Sequence, residues 1–138
     1  MTGDHIETAK YVALECGIVQ EDEVNKPGVC MTGEDFMEAI GGYNRIWDKQ
    51  MDEYIIKFVN EDQFSAVRKK LKVLARTSSE DKFVLVSGTK QKGGIVSMTG
   101  DSISDAESLK KAEVSLCMGS GCDVAKDSSD LVILDNNF

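Results

Sequence analysis

"GIVSMTGDSISDAESLKKAEVSLCMGSG", residues 94–121, decides how this chain folds. "GIVSM" and "EVSLCM" read as short strands, and "SDAESLKKA" between them has helical spacing. Two strands joined by a helix of about ten residues pair in parallel through a right-handed crossover. The pattern continues outward. Downstream, "CDVAKDSS" reads as a short helix and "LVILD" as a strand. Upstream, "EDQFSAVRKKL" is helical, "KVLAR" a strand, and "SSEDKFVLVSGTKQKG" a helix running into a glycine-bearing loop. Strands alternating with helices predict an α/β protein with a doubly wound parallel sheet.

The chain has 138 residues, enough for one domain with a real core. A net charge of −8 with no offsetting basic patch argues against a general nucleic-acid or anionic-membrane binder. The densest basic stretch, "VRKKLKVLAR", reads most simply as a solvated helix face. Cysteines stand at 16, 30, 117 and 122 without a Cys-x-x-Cys pair, and His5 is the sole histidine, so no zinc site is expected. Each cysteine lies among apolar or small residues, which predicts reduced, buried thiols. No apolar run approaches the roughly 20 residues of a membrane helix, so no direct membrane insertion is expected.

"MTGD" occurs twice, at 1–4 and 98–101. The first copy leads into "DHIETAKYVALECGI", where Ile6, Ala9, Val12 and Ala13 recur at helical steps. Asp4 is the expected N-cap, with Glu7 completing a capping box, and Gly17 the expected left-handed stop. "PGVCMTGEDFMEAI" predicts a strand at 29–31 and a helix capped near Thr32. The segment 41–60 mixes both periods around Trp47 and reads as a possible insertion within a single domain spanning 1–138.

Ligands of open parallel sheets bind beyond the carboxyl ends of the strands. Asp101 stands at such an edge, with Asp105 one helical turn later. Two carboxylates so placed can hold Mg²⁺, which accepts one or two of them plus phosphate oxygens. Equally, Asp101 can simply cap the following helix. Thr2, Gly3 and Asp4 precede a helix whose free amides could cradle a phosphate. Lys82 could reach a phosphate at the same edge, or be an ordinary solvated lysine. His5 reads as a polar residue on a first turn.

Taken together, "TGD…ARTSSEDK…TGDSISDAESLKKAEVSLCMGSGCDVAKDSSDLVILDNNF" resembles the cytosolic phosphorylation domain of P-type cation pumps, in order and almost throughout the chain. "VLARTSSEDK", "DVAKDSSDLVILDNNF" and "MTGEDF" are most similar to plasma-membrane-type calcium pumps. The resemblance implies a haloacid-dehalogenase-like fold and a partial phosphorylation domain of an ATP-driven pump. It also implies that Thr2, Gly3 and Asp4 meet phosphoryl group and nucleotide, and that Arg76 lies near the nucleotide. Lys82 matches the lysine that neutralises phosphoryl charge, Asp101 the Mg²⁺ carboxylate, and Asp105 its supporting acid. Ser104 takes an asparagine's place in the phosphate- and nucleotide-binding set.

The family's nucleophile, carried in Asp-Lys-Thr-Gly-Thr, does not occur in this sequence. The resemblance implies that the chain starts where the phosphorylation domain resumes after its nucleotide-binding insertion, and that the sheet lacks the central strand bearing the nucleophile. The family pattern TGDGxNDxPALK is here "TGDSISDAESLK", with Ser102 for glycine, Ser104 for asparagine and Glu107 for proline. Ser79 also stands where a proline is expected. Two readings remain open: a segment of a calcium pump, inactive alone, and a free-standing pseudoenzyme serving as a structural or interaction subunit. In both, the remainder of a pump polypeptide or another protein chain completes the sheet. The expected location is the cytoplasm, at the cytosolic face of a membrane when part of a pump.

Overall fold

The computed structural model describes residues 1–135; the end of the "LVILDNNF" run, residues 136–138, lies outside them. The chain divides into two compact units, the first ending at Asp81 and the second beginning at Lys82.

The first unit contains α1 (Ile6–Glu15), β1 (Cys30–Thr32), α2 (Gly33–Ala39), β2 (Tyr43–Asp48), β3 (Glu53–Phe58), α3 (Glu61–Lys70) and β4 (Val73–Ala75). It ends with the first turn of α4 (Ser79–Gln91). Strands β1 and β4 pair in parallel, with Cys30 opposite Val73 and Thr32 opposite Ala75. Ala9 and Ala13 of α1 pack with Val19, Val24, Val29, Val73 and Ala75. Val12, expected on the same face, is half exposed (50%). The N-cap of α1 is His5, whose Nδ1 accepts from the Glu7 amide, and not Asp4. Asp4 is taken up instead by the Thr2 hydroxyl, which leaves the next residue to close the helix. Gly17 does adopt the left-handed stop, at φ 70°. Thr32 and Asp35 form a full capping box on α2.

Residues 41–60 hold an antiparallel hairpin, β2 with β3, with Tyr43 opposite Phe58 and Trp47 opposite Tyr54. Its base is anchored: Phe58 stacks on Phe64 of α3 at 4.0 Å between ring centroids. The Tyr43 hydroxyl donates to Glu80 Oε1 at 2.9 Å, and Arg45 Nη1 donates to Glu80 Oε2 at 3.1 Å. Its outer end carries Trp47 edge-on to Tyr54, with the Arg45 guanidinium 4.3 Å from the Tyr54 ring centre.

The second unit contains the rest of α4, β5 (Ser97–Gly100), a 3-10 turn (Ile103–Asp105), α5 (Ala106–Lys111), β6 (Val114–Met118), α6 (Asp123–Asp127) and β7 (Leu131–Ile133). Its three strands are all parallel, in the order β5–β6–β7. Val86, Met98, Leu109, Cys117 and Ala125 form its core. The parallel α/β class expected from residues 94–121 is what forms. All four cysteines are free, but of the expected buried thiols only Cys117 is buried; Cys30 and Cys122 are half-buried, and Cys16, just past the last turn of α1, is exposed. Among the described residues, no helix is long and apolar enough to cross a membrane.

Candidate phosphate-handling site

Asp101 is the first residue beyond the carboxyl end of β5, and it is exposed. Asp105 follows on the 3-10 turn and is buried, at 5% exposure. The chain can fold back this tightly only because position 100 is glycine. A β-carbon there would lie 2.7 Å from the Asp105 Cβ, closer than side chains tolerate.

Both Asp105 oxygens are engaged. Oδ1 accepts from the Lys82 ammonium at 2.6 Å. Oδ2 accepts from the Ser102 hydroxyl at 2.7 Å, the Ser102 amide at 3.2 Å and the Asp101 amide at 3.3 Å. Burial by itself would raise the Asp105 carboxyl. The hydrogen bonds from Lys82 and Ser102, with the lysine charge, outweigh it and hold the group below the ordinary aspartate range.

Lys82 is not the solvated surface lysine that was one reading of the sequence. It is buried on α4 at 9% exposure and committed to the pair. Ser102 sits in extended backbone at φ −117°, a conformation open to any residue. Its hydroxyl lies 2.8 Å from that of the half-buried Ser104. The turn after β6 leans on the same place: the Cys122 amide donates to the Asp101 carbonyl at 2.8 Å. A β-carbon at Gly121 would fall 3.0 Å from that carbonyl and 2.8 Å from Cys117 Sγ.

The other candidate residues gather in the first unit, around the end of β4. The Thr2 hydroxyl donates to Asp4 Oδ2 at 3.0 Å and accepts from the Asp4 amide at 3.1 Å. The Thr2 amide donates to the Leu74 carbonyl, the Thr77 amide and hydroxyl both donate to the Thr2 carbonyl, and the Arg76 amide donates to the Asp4 carbonyl. Residues 2–4 are thereby tied alongside β4. Arg76 is exposed and held at φ 49°, the left-handed region that a non-glycine residue occupies at a cost. Gly3 is exposed, with nothing within 4 Å of where its β-carbon would stand.

Thus Thr2, Gly3, Asp4 and Arg76 form one cluster, and Lys82, Asp101, Ser104 and Asp105 another, each within its own unit. Sequence reasoning missed Ser102 as a partner of Asp105, and missed Gly33. A β-carbon on Gly33 would meet the buried Asp81 carboxylate at 2.3 Å. The signal available was the "MTGE" at 31–34, a third Met-Thr-Gly at a strand end. Among the described residues, no three His, Cys, Asp or Glu side chains gather to hold a metal.

No protein-family model matches the chain. It is 37% identical over 139 residues to calcium-transporting ATPase 9, plasma membrane-type, of Arabidopsis thaliana, covering 100% of this chain and 11% of that protein. With calcium-transporting ATPase 7, plasma membrane-type, of Oryza sativa subsp. japonica it shares 38% over 139 residues, covering 100% of this chain and 12% of that one. Among solved structures, the catalytic domain of a CPx-ATPase matches 56% of this chain and 32% of its own at 33% identity, TM-score 0.46. The chain therefore spans only about a tenth of the length of these curated relatives.

Proposed function

The chain belongs to the P-type cation-transporting ATPases, as a segment most like the phosphorylation domain of plasma-membrane-type calcium pumps, and from that premise we propose what its two clusters do. Each is a phosphate-facing cluster of its own unit, and phosphoryl transfer needs a nucleophile supplied from outside these 138 residues. In the complete polypeptide the activity is ATP-driven calcium transport, with this segment at the cytosolic face of the membrane.

The observation that carries this reading is the buried Lys82–Asp105 pair behind the exposed Asp101, at the carboxyl end of a parallel strand. Phosphoryl transfer is chiefly positioning and charge neutralisation, and a lysine fixed beside a strand-end carboxylate serves both. The donor chemistry fits Mg²⁺: Asp101 would hold it, since this hard cation takes one or two carboxylates and keeps several waters. When bound, Mg²⁺ neutralises phosphate charge. Arg76, Thr2 and Asp4 stand at the other strand end as nucleotide- and phosphate-facing groups.

Aspartyl phosphate formation requires an aspartate that attacks the γ-phosphate, and no Asp-Lys-Thr-Gly-Thr stretch is present to offer it. Among the described residues, β5 has a strand partner on one side only. Its other edge is the place for a strand from the rest of the pump or from another chain, since unpaired strand edges recruit partners. The free-standing pseudoenzyme reading draws on the same open edge and on Ser102, Ser104 and Glu107.

The test incubates the chain with γ-labelled ATP, Mg²⁺ and Ca²⁺, alone and with a peptide containing an apolar strand that ends in Asp-Lys-Thr-Gly-Thr. No acid-stable, hydroxylamine-sensitive label is expected on the chain alone. Comigration of the peptide with the chain in gel filtration is expected, and label on the chain itself would sink the proposal.

A further inference from the structure

Cys117 and Cys122 stand at the two ends of one tight turn. Strand β6 ends at Met118, and the Gly121 amide donates back to the Met118 carbonyl at 2.9 Å, closing a β-turn over residues 118–121. The turn is pinned from the side of β7, where the Gly119 amide donates to the Ile133 carbonyl at 2.7 Å. Residues that flank such a turn face one another across it. Cys117 is fully buried, and its sulfur points into the turn: the thiol donates to the Met118 carbonyl at 3.4 Å. A β-carbon at Gly121 would lie 2.8 Å from that sulfur, so glycine there leaves no side chain to hold it off. Cys122 is half-buried and packs against the core cluster that contains Cys117. Both cysteines also border the carboxyl end of β5. Cys117 is the register partner of Gly100, and the Cys122 amide donates to the Asp101 carbonyl at 2.8 Å.

We propose that Cys117 and Cys122 are a redox-active thiol pair, closed into a bridge across the turn by a small disulfide such as oxidised glutathione, and that the bridge is felt at Asp101. Nothing in this depends on how Asp101 treats Mg²⁺. Cys122 reacts first, because the other sulfur is shut off from solvent. Its thiolate attacks one sulfur of the glutathione disulfide, whose S–S bond breaks, and one glutathione leaves and takes up a proton. Cys117 then gives up its proton and attacks the Cys122 sulfur of the mixed disulfide, releasing the second glutathione. Two protein sulfurs are oxidised, and one glutathione disulfide is reduced to two thiols. Drawing Cys122 toward the Cys117 sulfur moves the amide that holds the Asp101 carbonyl. In reducing compartments such bridges are transient and serve redox sensing.

The whole chain is equilibrated in glutathione redox buffers, alkylated with iodoacetamide and cut with trypsin. Lys111 and Lys126 bound one tryptic peptide, 112–126, which holds both of these thiols and neither Cys16 nor Cys30. As the buffer becomes more oxidising, this peptide is expected two hydrogens lighter and unalkylated, and it should take two alkyl groups after dithiothreitol. The effective concentration of the pair should be roughly tenfold or more higher in the folded chain than in urea, since the fold holds the thiols together. Cys122→Ser, which leaves the buried sulfur in place, should abolish the bridge and keep Cys117 reduced. Cys117→Ala, the second variant, should leave Cys122 as a mixed disulfide with glutathione. Equal effective concentrations in buffer and urea overturn the inference, and so does a native chain that stops at glutathione on Cys122. In the amide nuclear magnetic resonance spectrum of the bridged chain, the Cys122 and Asp101 signals should both shift. A bridge that leaves the Asp101 signal in place overturns the link to the strand end.

Discussion

The ammonium of Lys82 and the carboxylate of Asp105, 23 residues apart, meet at 2.6 Å with both side chains nearly shut off from solvent. Removing one partner of such a pair leaves a buried charge uncompensated, which costs about 3–5 kcal/mol. Lys82→Met should lower unfolding stability in urea by that order. The double variant Lys82→Met/Asp105→Leu should lose clearly less than the two single losses added. Additive losses would mean that the pair is not a pair in solution.

The same contact has an acid signature. Asp105 is held below its ordinary range in the folded chain, so its contribution is complete above the unfolded aspartate value. It is then lost as pH falls through the depressed folded value. In Lys82→Met the main lowering influences go with the lysine, and the acid limb of the stability profile should move to higher pH. A profile unchanged by the substitution would contradict the assignment.

Arg76 sits at φ 49°, where an L-residue with a side chain loses about 1–2 kcal/mol. Arg76→Gly should therefore raise stability by about 0.5–1 kcal/mol, once glycine's larger unfolded-state freedom is subtracted. Arg76→Ala should give no gain, because alanine keeps the β-carbon. Thermal unfolding of the two variants side by side decides the matter. If the glycine variant also binds ATP less well, strain at 76 is the cost of presenting that guanidinium.

The hydroxyl of Ser108 on α5 is fully buried and has no hydrogen-bond partner among the described residues. A buried unsatisfied hydroxyl is a net loss of about 1 kcal/mol or more. Ser108→Ala is expected to stabilise the chain by roughly that amount, read from the urea midpoint at unchanged slope. A destabilised variant would mean that the hydroxyl is satisfied.

Tyr43 is pushed up to about 12, first by burial and then by its hydrogen bond to the Glu80 carboxylate. The folded value exceeds the unfolded one of about 10, so the neutral phenol favours folding. Its contribution is whole below pH 10 and drains away as pH rises toward 12. Tyr43→Phe should cost about 1 kcal/mol near neutrality. It should also flatten the alkaline fall in stability, and ultraviolet difference absorbance should lose its latest-ionising tyrosine.

The parallel layer was legible because two short apolar runs flank one helical pattern, with Gly93 and Gly94 before β5 and Gly119 and Gly121 after β6 marking its limits. Asp101 was legible because a strand-end position is a matter of order along the chain. That Lys82 is buried was not, since burial comes from α4 packing that no local pattern records. His5 displaced Asp4 as the cap of α1 because Thr2, two residues back, offers Asp4 a competing hydroxyl. The hairpin was obscured for a different reason. Only Ile56 and Phe58 of its twelve strand residues are fully buried, so the alternation that marks a half-buried strand is almost erased. Ser102 was read for the glycine it replaces, and its bond to Asp105 depends on a fold-back visible only in three dimensions.

The hairpin is gripped where it leaves the body of its unit, by Glu80 and by the stacked Phe58, while residues 49–52 are all exposed at its far end. Its length is thus decoupled from its attachment. Residues can be added or removed at the crest without disturbing the roots, which makes 49–52 the natural place on this chain to graft a tag or a reporter.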